Sequence, residues 1–368
     1  MLKKRIIAFV LSAAIGVGLA FGINAAFPSV FSDGSIKEGL CYETTGVCPD
    51  AIVASVNGVP VPADLYFYFL CYESADITAM LQYYMGGSID WDMELTEGQT
   101  IRDIAKQGAL ALTQQQIGIE AMAKQYGVTL SDAELSELAA VREQTVEAVG
   151  GEEAYLAEIG KMGLREETYD RLISSSYLYN GLGNLYATPG SALYADSDTL
   201  LAYADKQAYI AADHILIKTV DDSYQPLDEE TLAAQKALAE DIFSQLKAGD
   251  GSYAAFAALA DQYSEDPGRL TNPTGYTFTT GTMVEEFDTA ARALAEGETS
   301  GIVESAYGYH IIYRLPLSES AVETVRTAYF DEVMRAYIAD CKAITSPAAD
   351  SMDPQSAYEA MLSAQANG

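Results

Sequence analysis

The sequence predicts an α+β fold: a small antiparallel sheet with surrounding helices, joined to a mostly helical domain and preceded by an N-terminal hydrophobic helix. Three observations predict this fold class. Two short apolar runs of strand character each contain one of the chain's 2 histidines, His214-Ile-Leu-Ile and Tyr307-Gly-Tyr-His-Ile-Ile. Segments with helical periodicity separate these runs and dominate the rest of the chain. The chain also begins with a long apolar stretch.

Residues 1–27 have the design of a secretory signal peptide or an N-terminal membrane anchor. Lys3-Lys-Arg5 precedes an uncharged, mostly apolar stretch from Ile6 to Phe27. The positive start predicts a cytoplasmic N-terminus. No good small-x-small cleavage site follows, so we favour an uncleaved anchor over a cleaved signal.

Residues 28–50 are predicted to be a linker. Cys41 and Cys48 bracket a short loop there, and they form either a local disulfide or two free thiols. Cys71 and Cys341 lie in apolar helical stretches, and we expect both in the core.

Residues 51–207 are predicted to form a mostly helical domain. It opens with a short strand and turn, Ile52-Val-Ala-Ser-Val-Asn-Gly-Val-Pro60, before a helix that starts at Ala63. A later helix from Ala321 to Ala343 has helical apolar spacing, whereas residues 346–368 turn polar and are predicted to be a flexible tail.

The two histidine-containing runs are predicted to be the central strands of the sheet. Residues i and i+2 of a strand share a face, so His214 lies beside Leu216, and His310 lies beside Ile312. We therefore expect both imidazoles on one buried surface.

Three helices are predicted between and around these strands. The first runs from Leu232 to Lys247, and the second carries the stripe from Phe256 to Tyr263 and ends before Pro267. The third runs from Val284 to Leu294 and closes at Gly297.

Five motifs occur in one order over this region: His-Ile-Leu-Ile at 214, Ala260-Asp-Gln-Tyr-Ser-Glu-Asp-Pro267, Gly281-Thr-Met-Val-Glu-Glu-Phe287, Gly297-Glu-Thr-Ser-Gly301 and Tyr307-Gly-Tyr-His-Ile-Ile312. With these motifs, residues 208–317 resemble a parvulin-type (PpiC, or rotamase) peptidyl-prolyl cis/trans isomerase domain. Each motif is weak singly, because a buried histidine or a Met/Phe pair at helical spacing is more often plain core. Their joint order carries the resemblance.

The resemblance implies a set of site residues by position. It implies a catalytic surface formed by His214, Asp266, Ser305 and His310, and a proline pocket formed by Met283, Phe287 and Phe278. The Gly-Gly-Asp-Leu-Gly loop common in the family is replaced here by Pro273-Thr-Gly-Tyr-Thr-Phe278, so we expect a different pocket rim.

Residues 51–207 resemble the N-terminal chaperone-like region of exported PrsA/SurA-like foldases. The features are the strand and turn before Ala63, Tyr126-Gly-Val-Thr-Leu-Ser-Asp132, and Leu164-Arg-Glu-Glu-Thr-Tyr169. The resemblance implies that residues 318–345 complete this domain, with the parvulin unit inserted between its two segments.

Composition excludes several function classes. A net charge of −32 and a pI near 4.1 oppose nucleic-acid binding. No Cys/His cluster indicates a metal, no phosphate loop or catalytic triad is present, and no cofactor is predicted.

The resemblance implies a peptidyl-prolyl cis/trans isomerase and folding chaperone, and the N-terminal segment predicts that it acts outside the cytoplasmic membrane, tethered through this segment or secreted if the signal is cleaved. Its predicted partners are unfolded or proline-containing exported polypeptides. The alternative is a catalytically weak parvulin-fold holdase that grips clients through some of its 25 tyrosines. A purely structural surface protein is a third possibility, which the intact set of site residues disfavours.

Overall fold

The computed structural model describes residues 31–96, 98–317 and 319–366. These residues form two compact units. One comprises the described residues up to Ala192 together with those from Asp331 onward, and the other spans Leu193–Phe330. The predicted limits at 208 and 317 fall inside the second unit.

The helices are α1 (Leu40–Thr45), α2 (Ala63–Met85), α3 (Ile101–Gln125), α4 (Asp132–Val149), α5 (Glu152–Lys161), α6 (Glu166–Ala187), α7 (Ser197–Lys206), α8 (Glu229–Ala248), α9 (Tyr253–Tyr263), α10 (Glu285–Ala293), α11 (Glu319–Asp340), α12 (Pro347–Ser351) and α13 (Pro354–Ala366). A 3-10 turn spans Pro267–Leu270. The strands are β1 (Ile52–Val56), β2 (Val59–Pro62), β3 (Glu94–Thr96), β4 (Gln99–Thr100), β5 (Ile210–Lys218), β6 (Tyr276–Phe278), β7 (Thr299–Ser305), β8 (Gly308–Leu315) and β9 (Ala343–Thr345).

The first unit is built on α2 and α3, which pack beside an antiparallel sheet of order β2-β1-β9. Asn57 and Gly58 both have positive φ between β1 and β2, as a tight two-residue hairpin turn requires. Buried side chains of α2 such as Leu65, Phe67 and Leu70 form the centre of its core.

The C-terminal segment is not the flexible tail that composition predicted. Residues from Pro347 onward form α12 and α13, and Ala349, Met352 and Ala357 are buried in the core of the first unit. The polar composition concealed these few small and apolar positions, which suffice to dock two short helices against α1, α2 and β1.

The linker prediction for residues 28–50 is also wrong in part. Residues 40–45 form α1, and Cys41 and Cys48 are buried in the same core. All 4 cysteines are free and buried. Of the two alternatives for Cys41 and Cys48, the described structure therefore shows two free thiols.

The predicted signal or anchor, residues 1–27, lies outside the described residues. Within the ranges that are described, no helix combines the length and apolar character needed to span a membrane.

The second unit contains a four-stranded antiparallel sheet of order β6-β5-β8-β7. The predicted α+β class and the two central strands are confirmed, since β5 and β8 lie in the middle and pair from Ala211 to Lys218. The side-chain alternation is confirmed as well. Ile215 and Ile311 pack under α8 and α9, whereas Ile312 packs on the opposite face with α10.

Candidate active site

The two histidines meet because of the register between β5 and β8. His214 pairs with Ile312 and Leu216 pairs with His310, so the two histidines lie on one face, offset by one pair on neighbouring strands. Their Nδ1 atoms are 3.1 Å apart, and the rings stack with centroids 5.3 Å apart. Both side chains are buried, at 8% and 4% exposed.

A polar side chain lies at each outer end of this pair. The Asp266 Oδ2 atom is 2.9 Å from His214 Nε2, and Ser305 Oγ is 2.7 Å from His310 Nε2. Asp266 caps the 3-10 turn, where its Oδ1 accepts the Gly268 N–H at 3.0 Å. Ser305 ends β7, and its Oγ accepts the Tyr307 N–H at 3.1 Å.

These contacts form one directed chain when each imidazole holds one proton. An ionised carboxylate only accepts, so Asp266 takes the proton of His214 Nε2, and His214 Nδ1 is then an acceptor. His310 donates from Nδ1 and accepts from the Ser305 hydroxyl at Nε2. Each of the three contacts between the four side chains therefore pairs one hydrogen-bond donor with one acceptor.

The surroundings support this protonation. Burial, and then the charge of His214, lower the pKa of His310 from 6.5 to about 4. Burial alone would raise the pKa of Asp266, but hydrogen bonds from His214 and Tyr276 outweigh it and lower that pKa to about 2. At neutral pH, His310 is therefore uncharged and Asp266 is an anion.

Apolar side chains form a wall of a cavity of about 540 Å³ that His214, Asp266 and His310 also line. Leu216, Met283 and Phe287 contribute to the wall, and both imidazoles line the same space. The Phe287 ring stands edge-on to the histidines, with centroids 5.1 Å and 5.6 Å away. The arrangement can hold an apolar ring against neutral hydrogen-bonding groups.

Phe278 lies elsewhere than the sequence implied. It is not among the residues that line the cavity, is 2% exposed, and packs behind Phe287 at a centroid distance of 5.8 Å. Strand β6 turns this side chain inward against Ile210, its partner on β5. Phe278 therefore supports the pocket residue Phe287 instead of forming a wall.

Sequence reasoning missed Tyr276 as a site residue. Its hydroxyl donates to Asp266 Oδ2, and its ring lines the cavity. The signal was present, because Tyr276 replaces part of a glycine-rich loop and stands two residues before Phe278 on one strand face.

Sequence reasoning also missed a buried ion pair beneath the turn that carries Asp266. Arg269 Nη1 is 2.7 Å from Asp213 Oδ1, and the Tyr253 hydroxyl donates to Asp213 Oδ2 at 2.9 Å. Asp213 is 1% exposed and directly precedes His214. These contacts fasten the 3-10 turn to β5 on the side opposite the cavity.

No group of three or more His, Cys, Asp and Glu side chains within residues 31–96, 98–317 and 319–366 is placed to hold a metal ion.

Residues 214–315 match the family model for the rotamase, or PPIC-type PPIASE, domain. This part of the chain is a rotamase domain of the PpiC type, and the resemblance that the motifs predicted is confirmed for it.

The curated relatives are foldases. The chain is 40% identical over 112 residues to the foldase protein PrsA of Geobacillus sp. strain WCH70, covering 30% of this chain and 33% of that protein. Identity to PrsA of Halalkalibacterium halodurans is 36% over 143 residues, which is 36% of each chain. The chain thus spans about a third of the length of these curated relatives.

Solved structures are similar as well. The PPIase domain of TbPar42 is 28% identical, covering 29% of this chain and 99% of that one, with a TM-score of 0.25. The peptidylprolyl isomerase PrsA from Bacillus anthracis is 20% identical, covering 70% of this chain and 97% of that one, with a TM-score of 0.24.

Proposed function

We propose that this protein catalyses cis/trans isomerisation of X-Pro peptide bonds and assists the folding of polypeptides outside the cytoplasmic membrane. The observation that carries the proposal is the hydrogen-bonded His214–His310 pair, which lines one cavity together with an apolar wall. The match of residues 214–315 to the rotamase domain gives this geometry its chemical meaning.

The chemistry needs neither a covalent intermediate nor a cofactor. Rotation about the peptide bond meets a barrier of roughly 18–20 kcal/mol because the amide loses resonance as it twists. Uncatalysed exchange therefore takes about 10–100 s at 25 °C. Catalysis requires only that the site binds the twisted amide more tightly than either planar isomer.

The apolar wall and the polar chain favour the twisted amide in different ways. Met283 and Phe287 would hold the proline ring in a site with little water, where the less polar twisted bond is favoured. The proposed role of His214, His310 and Asp266 is to present fixed dipoles to the carbonyl oxygen and the pyramidalising nitrogen. Ser305 is not among the residues that line the cavity, and its proposed role is to orient His310 through their hydrogen bond. Because their partners fix these dipoles before substrate binds, little reorganisation is needed at the transition state.

We further propose that the clients are unfolded, proline-containing exported polypeptides, and that residues 1–27 tether the protein to the membrane. The support lies in the sequence, where Lys3-Lys-Arg5 precedes an apolar stretch. Separation of membrane and soluble fractions, with and without residues 1–27, tests the tether.

The holdase alternative is favoured by one specific observation. The first unit exposes three large side chains at the end of α2, which are Tyr83, Tyr84 and Met85, and a further one, Tyr72, in the middle of that helix. Tyr83 is 83% exposed. Aromatic side chains exposed in this way suit transient contact with unfolded chains.

The deciding experiment measures cis/trans exchange of short X-Pro peptides by NMR with the full chain. We expect acceleration that His310→Ala and Met283→Ala each reduce by about tenfold to a hundredfold, since each removes a group facing the bond. Met85→Ala is the matched control, because it truncates an exposed methionine of the first unit, and it should leave the rate unchanged.

No acceleration by folded protein, across several residues preceding proline, would contradict the isomerase proposal. Suppression of client aggregation that Tyr83→Ser weakens would then favour the holdase.

A further inference from the structure

Tyr276 contacts the site at its acidic end and has no role in the four-residue chain inferred from the sequence. Its hydroxyl donates to the same Asp266 oxygen that accepts from His214 Nε2. Its ring stands edge-on to the His214 ring, with centroids 5.7 Å apart and planes at 88°. Asp266 Oδ2 thus receives two donors.

Two glycines make room for this tyrosine. Gly275 has φ +95, and a Cβ there would lie 2.7 Å from the Ala212 carbonyl oxygen. This close approach lets Tyr276 pair with Ala212 at the start of β6. At Gly268 in the 3-10 turn, a Cβ would overlap the Tyr276 hydroxyl. The absence of a Cβ at both glycines therefore leaves the space that the Tyr276 side chain and its strand occupy.

The chain of hydrogen bonds has two possible directions, and Tyr276 distinguishes between them. With Asp266 as acceptor, His214 holds its proton on Nε2 and His310 holds its proton on Nδ1. A protonated Asp266 would instead donate to His214 Nε2, which moves the protons to His214 Nδ1 and His310 Nε2. The Tyr276 hydroxyl donates to Oδ2 and stabilises the anionic, accepting form more than the protonated form, because a hydrogen bond to a carboxylate is charge-assisted.

We propose that Tyr276 is a positioning residue that keeps Asp266 the accepting end of the chain and thereby sets the tautomers of both histidines. The proposal rests on the isomerase function above and adds a residue that acts on the reacting groups through Asp266. It explains why this chain has tyrosine in a loop where glycine is common in the family that it resembles.

Several charged or titratable groups surround Asp266. They are His214 and Asp213 from β5, Arg269 from the 3-10 turn, Tyr276 from β6 and His310 from β8. Arg269 is engaged by Asp213 and Asp261, which leaves Tyr276 as the second side-chain donor to Asp266 beside His214.

The test is ¹⁵N NMR of labelled full-length protein, in which the 2 histidines of the chain give two sets of ring signals. We expect the wild type to show His214 protonated on Nε2 and His310 protonated on Nδ1. In Tyr276→Phe we expect the reversed tautomers, which need a protonated Asp266, to appear during acid titration at a pH about one unit higher than in the wild type. We also expect the acid-side fall of the pH–rate profile to occur at a pH about one unit higher. The value of kcat/KM should fall about tenfold, because one charge-assisted hydrogen bond is lost.

A second variant tests the same contact in case Tyr276→Phe does not fold. Gly268→Ala keeps the N–H that binds Asp266 but displaces the tyrosine hydroxyl, so it should reproduce the tautomer change. The matched control is Tyr179→Phe, which removes a tyrosine hydroxyl that donates to Asp331 in the first unit. That variant should keep the wild-type tautomers.

Wild-type tautomers and an unchanged acid limb in both Tyr276→Phe and Gly268→Ala would overturn the inference. The ring signals are read without substrate, so the result stands apart from the isomerase assay. An inactive wild type with the expected tautomers would contradict the proposed function and leave the inference supported.

Discussion

His214 lies between two carboxylates that have opposite surroundings. Asp266 faces the cavity and binds imidazole and phenol donors, whereas Asp213 is buried on the other face and is neutralised by Arg269. Because strand alternation separates the two faces, Asp266 and not Asp213 contacts the imidazole ring. The charges of Asp213 and Arg269 still act on the Tyr276 hydroxyl, which donates to Asp266.

At the scale of single residues, His310 makes stability depend on pH. Its pKa falls from 6.5 in the unfolded chain to about 4 in the fold, so the unfolded state binds more protons between these values. Its contribution is complete above pH 6.5 and is lost as pH falls to about 4. Urea unfolding should show a loss on the order of 2 kcal/mol over this window.

The control for this prediction is His310→Gln, which cannot titrate. Its free energy of unfolding should fall less steeply from pH 6.5 to 4. Equal slopes in the two proteins would show that His310 is not the responsible group.

At the scale of elements, the 3-10 turn is held by charge as well as by its own hydrogen bonds. Arg269 lies in the turn and Asp213 lies in β5, and their pair is almost completely buried. A buried pair adds little net stability, but removal of one partner leaves an uncompensated charge. The pair therefore fixes the position of Asp266, because it holds the 3-10 turn against β5.

We predict that Arg269→Met lowers the free energy of unfolding by about 3–5 kcal/mol, because it strands the Asp213 carboxylate. The double variant Arg269→Met, Asp213→Asn should recover part of this loss, as a neutral amide costs less to bury. Chemical denaturation of the four proteins of this cycle measures the coupling. Additive losses would contradict a direct interaction.

Sequence patterns predicted those parts of the elements that depend on local periodicity. Alternation placed His214 beside Leu216 and His310 beside Ile312, and helical spacing gave α8 and α9 within a few residues, whereas the shared face of the two histidines depends on the register between β5 and β8. The Tyr276 contact could not be predicted, because it depends on the register of β6 against β5 and on the space left at Gly268. Pairing across strands is set by tertiary structure, which a local pattern does not contain.

At the scale of the whole molecule, the chain order differs between the two units. The second unit is one continuous stretch, Leu193–Phe330, whereas the first combines described residues before Ala192 with those after Asp331. Strand β9 pairs with β1, and α13 packs against α2. The first unit therefore needs both ends of the described chain.

We predict that truncation after Lys342 unfolds the first unit and leaves the second folded. The truncation removes β9, α12 and α13, and with them the buried Ala349, Met352 and Ala357. Calorimetry of the truncated protein should show one unfolding transition fewer, while the NMR signals of the two histidines remain. Removal of residues 367–368 alone should change neither, and loss of the histidine signals after the longer truncation would refute the independence of the second unit.

The order of these segments also has a consequence for a chain that emerges from a ribosome or an export channel with its N-terminus first. The continuous unit with the histidine pair has all its strands available once residue 330 has emerged. The first unit cannot complete its fold until β9 and α13 have also emerged. During this interval the first segment of the first unit stays incomplete while the second unit can already fold, and residues 1–192 contain 5 of the chain's 11 prolines.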